Sequence, residues 1–103
     1  MRVTAEQINI FKTFACRYFG EDVELWLFGS RTDDSKRGGD YDFLIETSMS
    51  DADRIIASKI DLIADLQNTN SFEDERIDII VKRRFSAFNM PVYQVAKHEG
   101  VRL

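Results

Sequence analysis

The sequence predicts an α/β (α+β) domain in which a small mixed sheet of three to four strands is flanked by helices. Three observations predict it. Segments with helical apolar spacing alternate with short runs of strand formers, in the order helix, strand, strand, helix, strand, helix. Gly20, Gly29, the Gly38-Gly39 pair, Pro91 and Gly100 fall at the borders of those segments. The chain has 103 residues, which fits one domain spanning 1–103. A domain of that size buries roughly two-thirds of the surface its unfolded chain exposes, enough for a single core.

The first helix opens on "TAEQ", where Thr4 and Gln7 have the spacing of a capping box. Ile8, Phe11, Phe14, Ala15, Tyr18 and Phe19 then recur at helical spacing, and Gly20 stops the helix. Residues 23–28, "VELWLF", are strand formers bounded by Gly29. Residues 30–39 are polar and end in two glycines, which reads as a loop with one helical turn. Residues 41–46 form the second strand. Ser50 with Asp53 reads as a second N-cap. Ile55, Ile56, Ile60, Leu62, Ile63 and Leu66 mark a helix to about Gln67, with Lys59 inside its apolar arc. "NTNSF" is a connection, and residues 76–82, "RIDIIVK", are the third strand. Pro91 suits a helix start, Gly100 a helix end, and "VRL" a short last strand.

The formal net charge is −4 and the pI about 4.9. An acidic chain lacks the basic footprint of a general nucleic-acid binder, so nucleic acid is not expected as a direct partner. Phosphate chemistry remains open where metal ions supply the positive charge. No apolar stretch approaches the length of a membrane span, and there is no secretory leader pattern. The one cysteine, Cys16, allows no internal disulfide. The expectation is a cytoplasmic protein without a membrane partner, with homo-oligomerisation left open.

Carboxylates placed in strands carry the functional reading. Asp42 lies between Tyr41 and Phe43, followed by Leu44 and Ile45. Aspartate favours turns and caps, and heading into a core it is costly unless paired. Strand side chains alternate, so Asp40 and Asp42 project to one side while Tyr41, Phe43 and Ile45 take the other. In the third strand Asp78 interrupts an apolar run and opposes Ile77, Ile79 and Val81. If the two strands are neighbours, three carboxylates converge, a donor set suited to magnesium together with substrate phosphates. Gly29 and Ser30 follow the first strand. A glycine there permits close backbone approach, and Ser30 offers a hydroxyl and an N–H to a phosphate. Arg31 and Arg37 lie near. Two bound metal ions would then serve phosphoryl or nucleotidyl transfer.

Other residues have plainer readings. Asp40 alone would pass as a turn residue. Asp33 and Asp34 cap a helical turn or face solvent, and residues 73–75 form a solvated acidic loop. Lys82, Arg83 and Arg84 are either a solvated strand end or a contact for phosphate or an acidic partner. His98 sits near a helix C-terminus, where the dipole favours positive charge. Cys16 lies at the core margin. Trp26 and the phenylalanines of the first helix belong to the core or to a partner interface.

The stretch "FGSRTDDSKRGGDYDFLIE" resembles the nucleotidyltransferase signature: Gly-Ser, a spacer, Asp-x-Asp, then an acidic residue on a later strand. The chain is similar over most of its length, "PVYQVAKHEGVRL" included, to the minimal nucleotidyltransferases of the DNA polymerase beta superfamily. The resemblance implies a nucleotidyltransferase-like fold and an enzyme moving a nucleoside monophosphate, AMP from ATP, to an acceptor hydroxyl. By it, Asp40, Asp42 and Asp78 are the catalytic and magnesium-binding residues, and Gly29, Ser30 and Arg31 hold the nucleoside triphosphate. It also implies a HEPN-domain toxin as partner. The alternative is an antitoxin, weakly active or inactive, that neutralises such a toxin by binding alone.

Overall fold

The computed structural model describes residues 3–32, 40–86 and 90–103. Within them the chain forms α1 (Ala5–Phe19), β1 (Glu24–Phe28), a 3-10 helix (Gly29–Thr32), β2 (Tyr41–Thr47), α2 (Ala52–Gln67), β3 (Ile77–Arg83), α3 (Pro91–Glu99) and β4 (Val101–Arg102). The strands make one mixed sheet in the order β3-β2-β1-β4. β1 runs antiparallel to β2 and β4, and β2 runs parallel to β3. A parallel pair needs a long crossover, which α2 provides. The result is an α/β domain with a mixed sheet flanked by helices, compatible with a nucleotidyltransferase-like fold. Among the described residues no helix is long and apolar enough to cross a membrane.

Local chemistry sets the ends of these elements. Thr4 and Gln7 form the expected capping box: the Gln7 N–H donates to Thr4 Oγ1, and the Thr4 N–H donates to Gln7 Oε1, both at 3.0 Å. The second cap differs from expectation. Asp51, not Ser50, caps α2, its carboxylate accepting the N–H groups of Asp53 and Arg54. An aspartate immediately before the helix already satisfies two of its free donors, which leaves Ser50 outside the cap. The expected helical turn after β1 is the 3-10 helix. Asp33, Asp34, Arg37, Gly38 and Gly39 lie outside the described residues, as does the side chain of Ser30.

The alternation of β2 divides the core into two layers. Tyr41, Phe43 and Ile45 face α1 and α2, packing with Phe11, Ala15, Phe19, Leu62, Leu66, Phe72 and Ile79. The Phe11 and Phe43 rings stack at a centroid distance of 3.8 Å, and Phe72 meets Phe43 edge-on. Complete burial of each such ring contributes on the order of 2–3 kcal/mol. Leu44 takes the other face, where Trp26, Tyr93 and Ala96 make a smaller core beneath α3. On α2 the buried stripe runs through Leu62 and Leu66, with Ile55 and Ile63 packed against it. Lys59 falls in that stripe and is half-buried. Ile56 and Ile60, expected on the same face, are 58% and 62% exposed. They sit to one side of the stripe formed by Leu62 and Leu66.

Candidate functional site

Register brings the strand carboxylates together. In the parallel ladder Asp42 pairs with Asp78, and the neighbouring pairs are Leu44 with Ile80 and Glu46 with Lys82. Strands in a sheet lie about 4.8 Å apart, so Asp42 and Asp78 project side by side. They share the sheet face that α3 partly covers, at the end where β2 and β3 begin. Asp42 is half-buried and Asp78, on the edge strand, is exposed. Asp40 precedes β2, and its Oδ1 lies 3.5 Å from Arg76 Nε.

Burial first, then the negative charges of Asp78 and Asp40, push the Asp42 carboxyl above its ordinary value. Among the described residues, Asp42 feels more negative charge than positive charge. The backbone closes around it. Gly29 has φ 76°, and a Cβ on it would overlap Asp42 Oδ2. The room that the missing side chain leaves is thus filled by the Asp42 carboxylate, directly across from the end of β1, where Phe28 pairs with Asp42.

The remaining predicted residues stand differently. Arg31 places its guanidinium 4.1 Å from the centroid of the Tyr41 ring and 3.7 Å from Glu75 Oε2. Tyr41 belongs to the opposite sheet face, so Arg31 lies away from the Asp42 carboxylate. The Thr32 hydroxyl donates to the Gly29 carbonyl at 2.7 Å and closes the 3-10 turn. With four residues, that turn is too short for a sizeable helix dipole. Among the described residues no group of three or more His, Cys, Asp or Glu side chains is arranged to hold a metal ion. The donor chemistry nevertheless suits magnesium: two hard carboxylates side by side, one raised by burial and then by like charges that a cation would offset, leaving substrate phosphates to complete the shell. Asp42 and Asp78 would hold the ion, and Asp40 would first have to leave Arg76.

The basic run at the end of β3 is used internally rather than simply solvated. The Lys82 ammonium lies 3.6 Å from Glu46 Oε1, and Lys97 pairs with the other oxygen of that carboxylate. Arg84 donates to the Asp22 carboxylate at 3.2 Å and to its carbonyl at 2.7 Å, and Arg83 to the Ser50 carbonyl. The pairing of the buried Glu46 with Lys82 and Lys97 escaped the sequence reading. A signal existed, because Glu46 has the parity of Asp42 and Lys82 that of Asp78, so the register that joins the aspartates also joins this pair. His98 is exposed, Cys16 half-buried, and Trp26 is in the smaller core with Lys97 over its ring. No protein-family model matches the chain, and no curated protein matches it.

Proposed function

We propose that the chain is a magnesium-dependent nucleotidyltransferase that moves AMP from ATP to an acceptor hydroxyl on a partner protein, as the antitoxin half of a pair with a HEPN-type toxin. The observation that carries the reading is the in-register pairing of Asp42 with Asp78, with the Gly29 backbone packed against Asp42. A carboxyl raised by burial and by neighbouring like charges, as Asp42 is, is a common feature of reactive sites. Magnesium, when bound, supplies positive charge to the triphosphate and to the acceptor oxygen. Asp42, held rigidly by its strand and by Gly29, fixes one side of the site. Asp78, exposed and able to move, is the group placed to take the proton of the attacking hydroxyl. In the transfer the acceptor oxygen bonds to the α-phosphorus, the bond from that phosphorus to its bridging oxygen breaks, and pyrophosphate leaves.

Asp78 lies on the edge strand, so the site is open on that side and a partner would supply the missing wall. The end of β3, where Phe85 is 81% exposed beside Arg83, is the candidate contact. A second reading, neutralisation by binding alone, is favoured by one specific observation: Asp40 is engaged by Arg76 and the described residues gather no three-carboxylate group.

Co-expression with a neighbouring HEPN-type gene, followed by size exclusion and intact mass, tests both. Addition of one or more AMP masses to the partner, absent with Asp42→Asn, is the expected result. A stable complex without added mass would establish the binding-only reading. Turnover of a small molecule by the isolated chain would remove the partner from the proposal.

A further inference from the structure

The sheet face that carries Asp42 and Asp78 has a second charged cluster at its far end. Lys82 lies four residues beyond Asp78 on β3, with the same parity and about 13 Å further along the strand. There a cavity of about 350 Å³ opens between the end of β3 and α3, lined by Lys82, Ser86, Tyr93, Gln94 and Lys97. That volume is at the lower end of the range of small-molecule pockets, roughly 300–1,000 Å³.

Positive charge exceeds negative charge among the described residues around this cavity. The Lys82 side chain is only 14% exposed, and its ionic neighbour among the described residues, Glu46 Oε1, lies at 3.6 Å, beyond hydrogen-bond length. An ammonium carries three donors, so an acceptor placed in the cavity has N–H groups to meet. Lys97 uses the other oxygen of the same carboxylate and stands 5.0 Å from the centroid of the Trp26 ring. One carboxylate therefore faces two ammonium groups, and one positive charge is left over toward the cavity. Arg84, the next cation along, is occupied by Asp22.

We propose that this cavity binds a phosphate group, free or carried by a small phosphate ester, at a site separate from the Asp42–Asp78 cluster. Lys82 and Lys97 hold the anion's charge, and Tyr93 and Gln94 are neutral donors at its wall. A tetrahedral oxyanion suits the place better than a carboxylate, because it offers acceptors in several directions to donors that come from both β3 and α3. The site stands whether or not the chain transfers nucleotides, since it uses none of the carboxylates of that reading.

The test is titration of the isotope-labelled full chain with inorganic phosphate, without divalent cations and at constant ionic strength, following backbone amide shifts. Saturable shifts at Lys82, Ser86, Tyr93, Gln94 and Lys97, with none at Gly29, Asp42 or Asp78, are expected. Gln94 is an exposed position on α3. Gln94→Glu adds negative charge to the cavity while Glu46, Lys82 and Lys97 all stay in place, and it should weaken binding at least tenfold with the fold intact. Lys82→Gln should act in the same direction; if that variant fails to fold, Gln94→Glu decides. Ribose 5-phosphate binding more tightly than phosphate at these amides assigns an ester, and equal binding assigns the free ion. Shifts that do not saturate, an equal response to acetate, a response confined to the Asp42 end, or unchanged affinity in Gln94→Glu would each overturn the proposal.

Discussion

Asp42 and Glu46 lie four residues apart on one strand and one face of the sheet, under opposite conditions. Glu46 is the more deeply buried, at 6% exposure. Burial alone would raise its carboxyl, but the hydrogen bond and charge of Lys97, with Lys82 and Arg84, hold it below its ordinary value. Asp42 is only half-buried, yet burial and two like charges raise it. The sign of the neighbours, not depth, separates the two. A compensated carboxylate ties elements together. Burial together with neighbouring like charges instead weakens the fold at the Asp42 end of the strand.

The comparison breaks hardest at Glu46. Glu46→Gln leaves Lys82 and Lys97 without their shared counter-charge. Removing one partner of a buried ion pair costs about 3–5 kcal/mol. Lys97 keeps a route to solvent, with 35% of its side chain exposed, so the expected loss is at the lower end, about 3 kcal/mol. That is a large fraction of the stability of an ordinary domain. Urea unfolding should show a lower midpoint with an unchanged slope. A midpoint equal to that of wild type would mean the cluster contributes nothing.

Gly29 tests how tightly the acidic end is built. Gly29→Ala meets two obstacles, a left-handed φ of 76° and overlap with Asp42 Oδ2. Together they should cost about 2 kcal/mol. In an Asp42→Ala background the overlap disappears while the backbone strain stays, so a double-mutant cycle should return a coupling of about 1 kcal/mol. Strict additivity would show that Asp42 does not rest against Gly29 in solution.

The same comparison explains what was legible in the sequence. Strand parity was enough to foresee that Asp42 and Asp78 oppose the Tyr41-Phe43-Ile45 and Ile77-Ile79-Val81 faces, because alternation is a local rule. The capping box, Pro91 and Gly20 were legible for the same reason. The contacts of Arg31 with Tyr41 and Glu75 were not, because they depend on what packs from distant segments. Ile56 and Ile60 misled because periodicity marks a broad apolar arc, while tertiary packing decides how much of it is covered. The Glu46 cluster needed three elements at once, with Lys97 from α3 joining a pair that register alone supplies. Ser50 lost the cap to Asp51 by one position, a margin below what composition resolves.

The smallest effect is the most direct test of the contrast. The folded Asp42 carboxyl is raised above 3.8, so the folded chain holds this proton more tightly than the unfolded chain does. Its stabilisation is fully present below pH 3.8 and is lost as pH rises through the folded value. Glu46 works in reverse: its folded carboxyl is lowered from 4.5, so its contribution is present above that pH and is lost as pH falls through the folded value. On acidification the wild type therefore loses support from Glu46 while gaining it at Asp42. Asp42→Asn removes only the second part. The variant should be slightly more stable than wild type at pH 7, by less than the Gly29 change costs because solvent screens a half-exposed group. Between pH 5 and about pH 3.5 it should then lose stability more steeply than wild type. Urea midpoints for both proteins across that range measure the difference. Magnesium added at pH 7 should narrow the gap by stabilising the wild type alone, since a ligand that binds only the folded state raises its stability by mass action. Identical pH slopes for the two proteins would mean that neither burial nor the charges of Asp78 and Asp40 raise the Asp42 carboxyl, and the contrast between the two ends of the strand would fall with it.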